Sequence, residues 1–218
     1  MTYNEYPKGS EWNKWDLHFH TPSSYDYKNG SVTNEDIINE LKKRKIRVVA
    51  ITDHDIIYIE RIKSLQRLGK AANITVLPGI ELRCELGGSK SIHFIGIFSE
   101  KADIENIWIK LQGHLGTEKE IKEIGHDKFY VDFRDTAKII HEYGGIVTIH
   151  SGEKSNSLEL ITNSFPYKMA LKTDMSKHVD IFEMGKIVDL KTYNLHFGVL
   201  RDYFFNNQKV FRFALSKK

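Results

Sequence analysis

The chain has one cysteine, Cys84, among 218 residues, so an internal disulfide is excluded and a reducing, cytoplasmic setting fits. Four prolines exclude a polyproline or low-complexity chain. No apolar stretch approaches the roughly 18 residues needed to span a bilayer. The opening Met1-Thr2-Tyr3-Asn4-Glu5 lacks the basic and apolar regions of a signal peptide, so the reading is a cytoplasmic protein with no membrane partner. Excess charge is scarce too. A formal charge of +3 leaves room for a local basic patch around an anionic substrate, but does not mark a strongly cationic nucleic-acid binder.

What is present is a globular composition, 40% hydrophobic and 28% charged, in a chain long enough for one substantial core. No tandem repeat or linker divides it. Ser31 to Arg44 reads as a helix, with Thr33 as cap, Asp36 three residues on, and Ile37, Ile38 and Leu41 as its apolar stripe. Arg47 to Thr52 is a β-branched run expected of a strand covered on both faces. Helical and extended patterns then follow: a helix over Ile56 to Ala72, extended chain over Ile74 to Leu82, and extended chain again over Ser91 to Phe98 after the Gly87-Gly88 turn signal. Further helices are expected over Lys101 to Gln112 and Phe133 to Tyr143, with a partly helical insertion at residues 113–131 between them. Ile146 to His150 and Val179 to Met184 read as strands around a helical excursion, Leu190 to Phe205 as a helix, and Val210 to Leu215 as a last short strand. Such alternation predicts a parallel sheet flanked by helices, open and doubly wound or closed as a barrel.

The polar residues favour the barrel, because functional groups gather at the strand ends around one mouth. His18 and His20 end the first apolar run, and alternation along a strand sends both imidazoles to one face. Thr52-Asp53-His54-Asp55 ends the next strand, Pro78-Gly79-Ile80-Glu81 carries a carboxylate in the third, His93 lies in the fourth and His150 closes the fifth. Any one of these has a bland explanation as a core or surface residue. Five in series point to a metal centre.

These motifs resemble the PHP (polymerase and histidinol phosphatase) family over about Trp15 to Met184. The carrying segments are Asp16-Leu17-His18-Phe19-His20-Thr21-Pro22, Ile51-Thr52-Asp53-His54-Asp55, Pro78-Gly79-Ile80-Glu81, His93-Phe94-Ile95-Gly96 and Ile149-His150. The opening Gly9-Ser10-Glu11-Trp12-Asn13-Lys14-Trp15 is most similar to the PHP segment of TrlF-type proteins, which precedes an ATPase region. The resemblance implies a distorted (β/α)7 TIM-like barrel over residues 15–218 after a lead-in of 1–14, holding two or three divalent ions of zinc, manganese or iron. It implies that His18 and His20 bind one ion, that Glu81 bridges it to a second completed by His93 and His150, and that Asp26 and His54 serve a third. Glu81 and His54 are the catalytic candidates. The implied activity is hydrolysis of a phosphomonoester or phosphodiester by a metal-activated hydroxide. A nucleotide or nucleic acid is the favoured substrate, and an ATPase the implied partner.

The family's terminal Asp-x-His pair has no match here. Phe213-Ala214-Leu215-Ser216-Lys217-Lys218 offers lysines, and Asn194-Leu195-His196 has an amide in place of the carboxylate. A fragment with an incomplete barrel, or a variant with weakened first and third sites, both remain open. So does a non-catalytic platform that binds metal or a partner. An amidohydrolase, which also begins with His-x-His, would need a carbamylated lysine on a middle strand, and none is evident. Arg83 and Lys154 are candidates for gripping a phosphate, with surface solvation as the alternative. Asp53 either orients a ligand imidazole or caps the helix near Ile56. Ser23, Ser24 and Cys84 lack the turn context of a nucleophile. His114, His126, His141 and His178 read as surface histidines, and Lys42-Lys43-Arg44-Lys45 as a solvated helix end. Tyr25 and Tyr27 either stack on a base or pack against their loop.

Overall fold

Local chemistry fixes the first helix. The Thr33 side chain accepts from the Asp36 backbone N–H, and the Asp36 carboxylate accepts in return from the Thr33 N–H, a capping box that starts α1 (Asn34–Lys43). Thr117 and Glu120 do the same for α4 (Glu118–Ile124), inside the stretch expected to be a partly helical insertion. The structure is a computed structural model and describes residues 13–85, 91–152, 156–162, 166–184 and 212–215.

Seven strands form one sheet in sequence order: β1 (Lys14–Phe19), β2 (Ile46–Ile51), β3 (Thr75–Glu85), β4 (Ser91–Ile97), β5 (Ile146–Ser151), β6 (Ile181–Met184) and β7 (Arg212–Leu215). Between them lie α2 (Ile59–Ala71), α3 (Ile104–Leu115), α5 (Phe133–Glu142), α6 (Leu158–Thr162) and α7 (Lys168–Ser176), with a 3-10 turn at His126–Lys128. The expected helix over 190–205 and the segment Asn194-Leu195-His196 lie outside the described residues.

The expectation of a purely parallel sheet is corrected. β4 runs antiparallel to both β3 and β5, while the other pairs are parallel. Only five residues separate β3 from β4, too few for the dozen or more that a parallel crossover needs, so the chain turns straight back.

Strand alternation decides what faces where. Ile80, Leu82, Ile92, Phe94, Ile149 and Phe182 all join the large core between the sheet and its helices. The residues between or beside them, Glu81, His93, His150 and Glu183, therefore face the opposite, concave side. Lower on that side a smaller apolar floor is made by Ala50, Ile95 and Ile97 with Leu17 and Leu77. In β1 an irregularity between Asp16 and Phe19 interrupts the register with β2, and Phe19 packs on the helix-side core, leaving His18 and His20 to the concave side. The sheet curls strongly enough that His18 on β1 meets Glu183 on β6 at 2.9 Å. Among the described residues no pairing joins β7 back to β1, so the sheet is an incomplete TIM-like barrel. No helix among them is long and apolar enough to cross a membrane.

Gly79 shows how tightly β3 is seated. A Cβ there would lie 2.8 Å from the Gly96 carbonyl oxygen and 3.1 Å from that of Ile51, both backbone atoms that cannot swing aside. Gly79→Ala is therefore expected to lower unfolding free energy by about 1–3 kcal/mol in urea titrations. Gly30→Ala, where nothing lies within 4 Å, should change it by no more than about 0.5 kcal/mol.

Candidate metal centre

Glu81 stands at the centre of the concave face, 1% exposed. Its Oε2 lies 2.7 Å from both His18 Nε2 and His20 Nε2, and its Oε1 lies 2.7 Å from His93 Nδ1. His150 Nε2 stands 3.6 Å from Oε1 and His54 Nε2 3.7 Å from Oε2. Five imidazoles from four separate segments thus surround one carboxylate. The two neighbours of His54 bind the two sides of Glu81 through the backbone, Asp55 N–H to the Glu81 carbonyl and Glu81 N–H to the Asp53 carbonyl. That double bridge fixes His54 against Glu81 without using either side chain.

Every ligand expected from the sequence falls in this cluster, but the grouping differs from the expected partition. His18 groups with Glu81 and His150, and His20 groups with Glu81 and His54, the candidate atoms of each group lying within 4.8 Å of one another. His93 is held on its other side, where its Nε2 meets the Asn156 amide at 3.0 Å. Because β4 runs backwards, His93 reaches the mouth from near the start of its strand. Asp26 sits at the rim, accepting from the Ser24 hydroxyl at 2.7 Å, with one oxygen 3.6 Å from His54 Nε2 and the other 3.8 Å from His20 Nδ1.

The electrostatics suit a cation. Burial by itself would lower the His18 pKa, yet Glu81 and Glu183 outweigh it and push it up to about 10. Burial would raise Glu81, and the surrounding histidines hold it well below the usual carboxylate range instead. Burial lowers His54 to about 4, which keeps its ring neutral with a lone pair to give. The buried His54 Nδ1 has no hydrogen-bond partner among the described residues. A spot that stabilises positive charge, ringed by neutral imidazole and carboxylate, fits a divalent metal ion.

Glu183 escaped the sequence reading. It is 3% exposed, and both of its oxygens lie 2.9 and 3.0 Å from His18 Nδ1, with Oε2 3.5 Å from His150 Nε2. The signal was available: Phe182-Glu183 repeats on β6 the apolar-then-carboxylate alternation of Ile80-Glu81 on β3.

Three other expectations need correction. Asp53 neither orients an imidazole nor caps a helix: its carboxylate accepts from the Thr21 backbone N–H at 2.6 Å and from the Thr21 hydroxyl at 2.7 Å, pinning the turn after His20. The helix it was expected to cap begins later, at Ile59. Arg83 is not solvated. It is 7% exposed, donates to the His126 carbonyl, and stands 3.6 Å from Asp55 and 3.8 Å from Asp127. His126 is likewise no free surface histidine, since its Nδ1 meets Asp55 Oδ2 at 2.9 Å and its ring stacks on Tyr25, which thus packs against protein. His114 and His141 lie away from the cluster, beside Thr136 and Asp180. Lys154 lies outside the described residues.

The PHP domain family model matches residues 16–204. No curated protein sequence matches the chain. Among solved structures, an amidohydrolase from Chromobacterium violaceum, with bound sulfate and no metal, superposes with a TM-score of 0.54 at 16% identity, covering 86% of this chain and 84% of that one. At that identity the likeness establishes the fold alone. A two-domain protein from Bacteroides vulgatus containing a predicted PHP-like metal-dependent phosphoesterase gives 0.49 at 15% identity, over 78% of this chain and 43% of that one. A candidate metal-dependent phosphoesterase from Bifidobacterium adolescentis gives 0.49 at 13% identity, over 78% and 77%.

The turn after His20 supplies a stability test. Asp53→Ala removes both acceptors of Thr21 and leaves a buried amide unpaired, so a loss of about 1–3 kcal/mol is expected in urea unfolding. Thr21→Val, which deletes the hydroxyl bond and keeps the amide bond, should cost less.

Proposed function

The chain belongs to the PHP domain family, and on that premise we propose that it is a metal-dependent phosphoesterase, with a nucleotide or nucleic acid as the favoured substrate class. The observation that carries the reading is Glu81, a buried carboxylate whose two oxygens face opposite halves of a ring of histidines. A carboxylate so placed can be shared by adjacent cations. His18, Glu81 and His150 would hold one ion, and His20, His54 and Glu81 another, with Asp26 and His93 beside them. When bound, divalent cations supply Lewis acidity, polarising a phosphoryl oxygen and offsetting the charge that develops on it. The protein's own share is orientation. Glu183 fixes the His18 ring, Asn156 fixes His93, and Asp53 with Thr21 fixes the turn that carries His20.

The substrate preference and an ATPase partner rest on the TrlF-like opening segment Gly9 to Trp15. Lys154 stays a candidate phosphate contact on sequence grounds. Arg83 is too deeply engaged with Asp55 and His126 to be a direct one.

Excess EDTA is expected to abolish hydrolysis of 4-nitrophenyl phosphate and of short oligonucleotides, and manganese or zinc to restore it. Hydrolysis that ignores chelation would overturn the proposal. Elemental analysis should find two or more ions per chain in the parent, and Glu81→Ala should lose them together. One ion or none in the parent would favour the non-catalytic platform. Glu183→Gln keeps the shape of the side chain and removes its charge, and is expected to weaken metal affinity by about 10–100-fold, read by competition with a chromophoric chelator.

A further inference from the structure

Beside the histidine cluster lies a second group of polar side chains that metal binding does not use. Asp55 is 1% exposed and adopts φ +61°, a left-handed conformation uncommon outside glycine. Its Oδ2 meets His126 Nδ1 at 2.9 Å, while its Oδ1 is buried with no hydrogen-bond partner among the described residues. Arg83, also buried, donates to the His126 backbone carbonyl, and its Nε is likewise buried and unpartnered among them. The Tyr25 ring lies parallel to that of His126, 4.1 Å between centroids and 7° between planes, and Tyr25 is in turn 5.4 Å from the His54 ring.

Three costs converge on one histidine: a strained backbone, two buried charged groups, and two polar atoms taken from water without replacement. Each is unfavourable in itself. Anchoring the 3-10 turn alone would not require them, because an apolar contact anchors a loop more cheaply than a buried ion pair does. What the three produce together is orientation. A carboxylate fixes Nδ1, the arginine fixes the backbone, and the tyrosine fixes the ring plane. Nε2, across the ring from Asp55, makes no hydrogen bond among the described residues, and the His126 side chain is 22% exposed. A histidine whose inner nitrogen is held by a buried carboxylate and whose outer nitrogen is left open is arranged for proton transfer.

We propose that His126 is the general acid of this site, donating the proton on Nε2 to the leaving-group oxygen of the phosphoester. The inference rests on the phosphoesterase reading above. In the step, water adds to phosphorus and the bond from phosphorus to the leaving oxygen breaks. The departing oxygen takes the Nε2 proton, the proton lost by the attacking water passes to solvent, and the neutral ring regains a proton from solvent. Asp55 and Arg83 act through His126 and are positioning residues. Tyr25 fixes the plane of the His126 ring.

General acid catalysis matters in proportion to how poor the leaving group is, which separates this role from a structural one. In His126→Asn the amide can still donate to Asp55 but cannot supply a proton. Its kcat is expected to fall by about 10²–10⁴-fold on an alkyl phosphoester, and by no more than about tenfold on the 4-nitrophenyl ester, whose leaving group needs no proton. Metal content and thermal midpoint should match the parent. His126→Ala, which also releases Asp55, should show the same leaving-group dependence on a less stable protein. Equal losses on the two esters, or no loss on either, would overturn the role of His126 and leave the phosphoesterase reading intact. A metal-loaded parent that hydrolyses neither ester would overturn that reading, and the proposal with it.

Discussion

The structure depends on keeping one negative charge, that of Glu81, in a place from which water is excluded. An isolated carboxylate so deep would cost many kcal/mol or take up a proton. It stays ionised because His18, His20 and His93 stand within 2.7 Å. Those three residues come from β1, the turn after it and β4, so the demand of one side chain constrains the register of much of the sheet. Gly79, two residues earlier, is where β3 passes close enough to β2 and β4 to make that register possible. Backbone bonds from Asp53 and Asp55 then lock the second motif onto the third.

Carboxylates on adjoining segments behave differently for reasons that can be named. Burial pushes Asp53 up to about 6 despite the Thr21 donors, and raises Asp55 despite His126 and Arg83. Glu81 is as deeply buried as Asp55 and moves the other way. The difference is the number of imidazoles at hydrogen-bond distance, three against none for Asp53 and one for Asp55. Titratable groups driven apart by their surroundings are the mark of a site with distinct roles. Here Glu81 has the environment of a charge-holding centre, and Asp55 that of a support for a neighbouring ring.

Where the causes are local, the sequence was readable. Thr33 and Asp36 announce α1, Gly144-Gly145 stops α5, and apolar runs bounded by turn residues give the strands within a few residues of their observed ends. The sequence drew attention to His18, His20, His54, Glu81, His93 and His150 because each lies in or just beyond an apolar strand, whereas Asp26, six residues beyond His20, was implied only by the family resemblance. The reversed strand was harder, since the Gly87-Gly88 turn signal spoke for a hairpin while the general strand and helix alternation spoke for a parallel sheet. Distance along the chain hid the rest. Glu183 is 165 residues from His18, and nothing in Phe182-Glu183-Met184 by itself says that β6 curls round to meet β1. His126 sits in a charged insertion whose own pattern is that of a surface helix. Only Asp55, 71 residues earlier, gives it another meaning.

Direction of approach explains how so many imidazoles fit around one carboxylate. In a wholly parallel barrel each strand delivers its side chains to the mouth from the same end. The reversed β4 brings His93 in from near the start of its strand, opposite Arg83 in the β3 register and two positions from the residue paired with Glu81. His93 can then engage Glu81 Oε1 while His18 and His20 engage Oε2. The same reversal sends the chain away from the mouth at the end of β4. It returns through α3, α4 and the 3-10 turn, and that return path carries His126 to the rim beside Tyr25. Reversing one strand therefore supplies the imidazole that engages Glu81 Oε1 and starts the path that leads to His126.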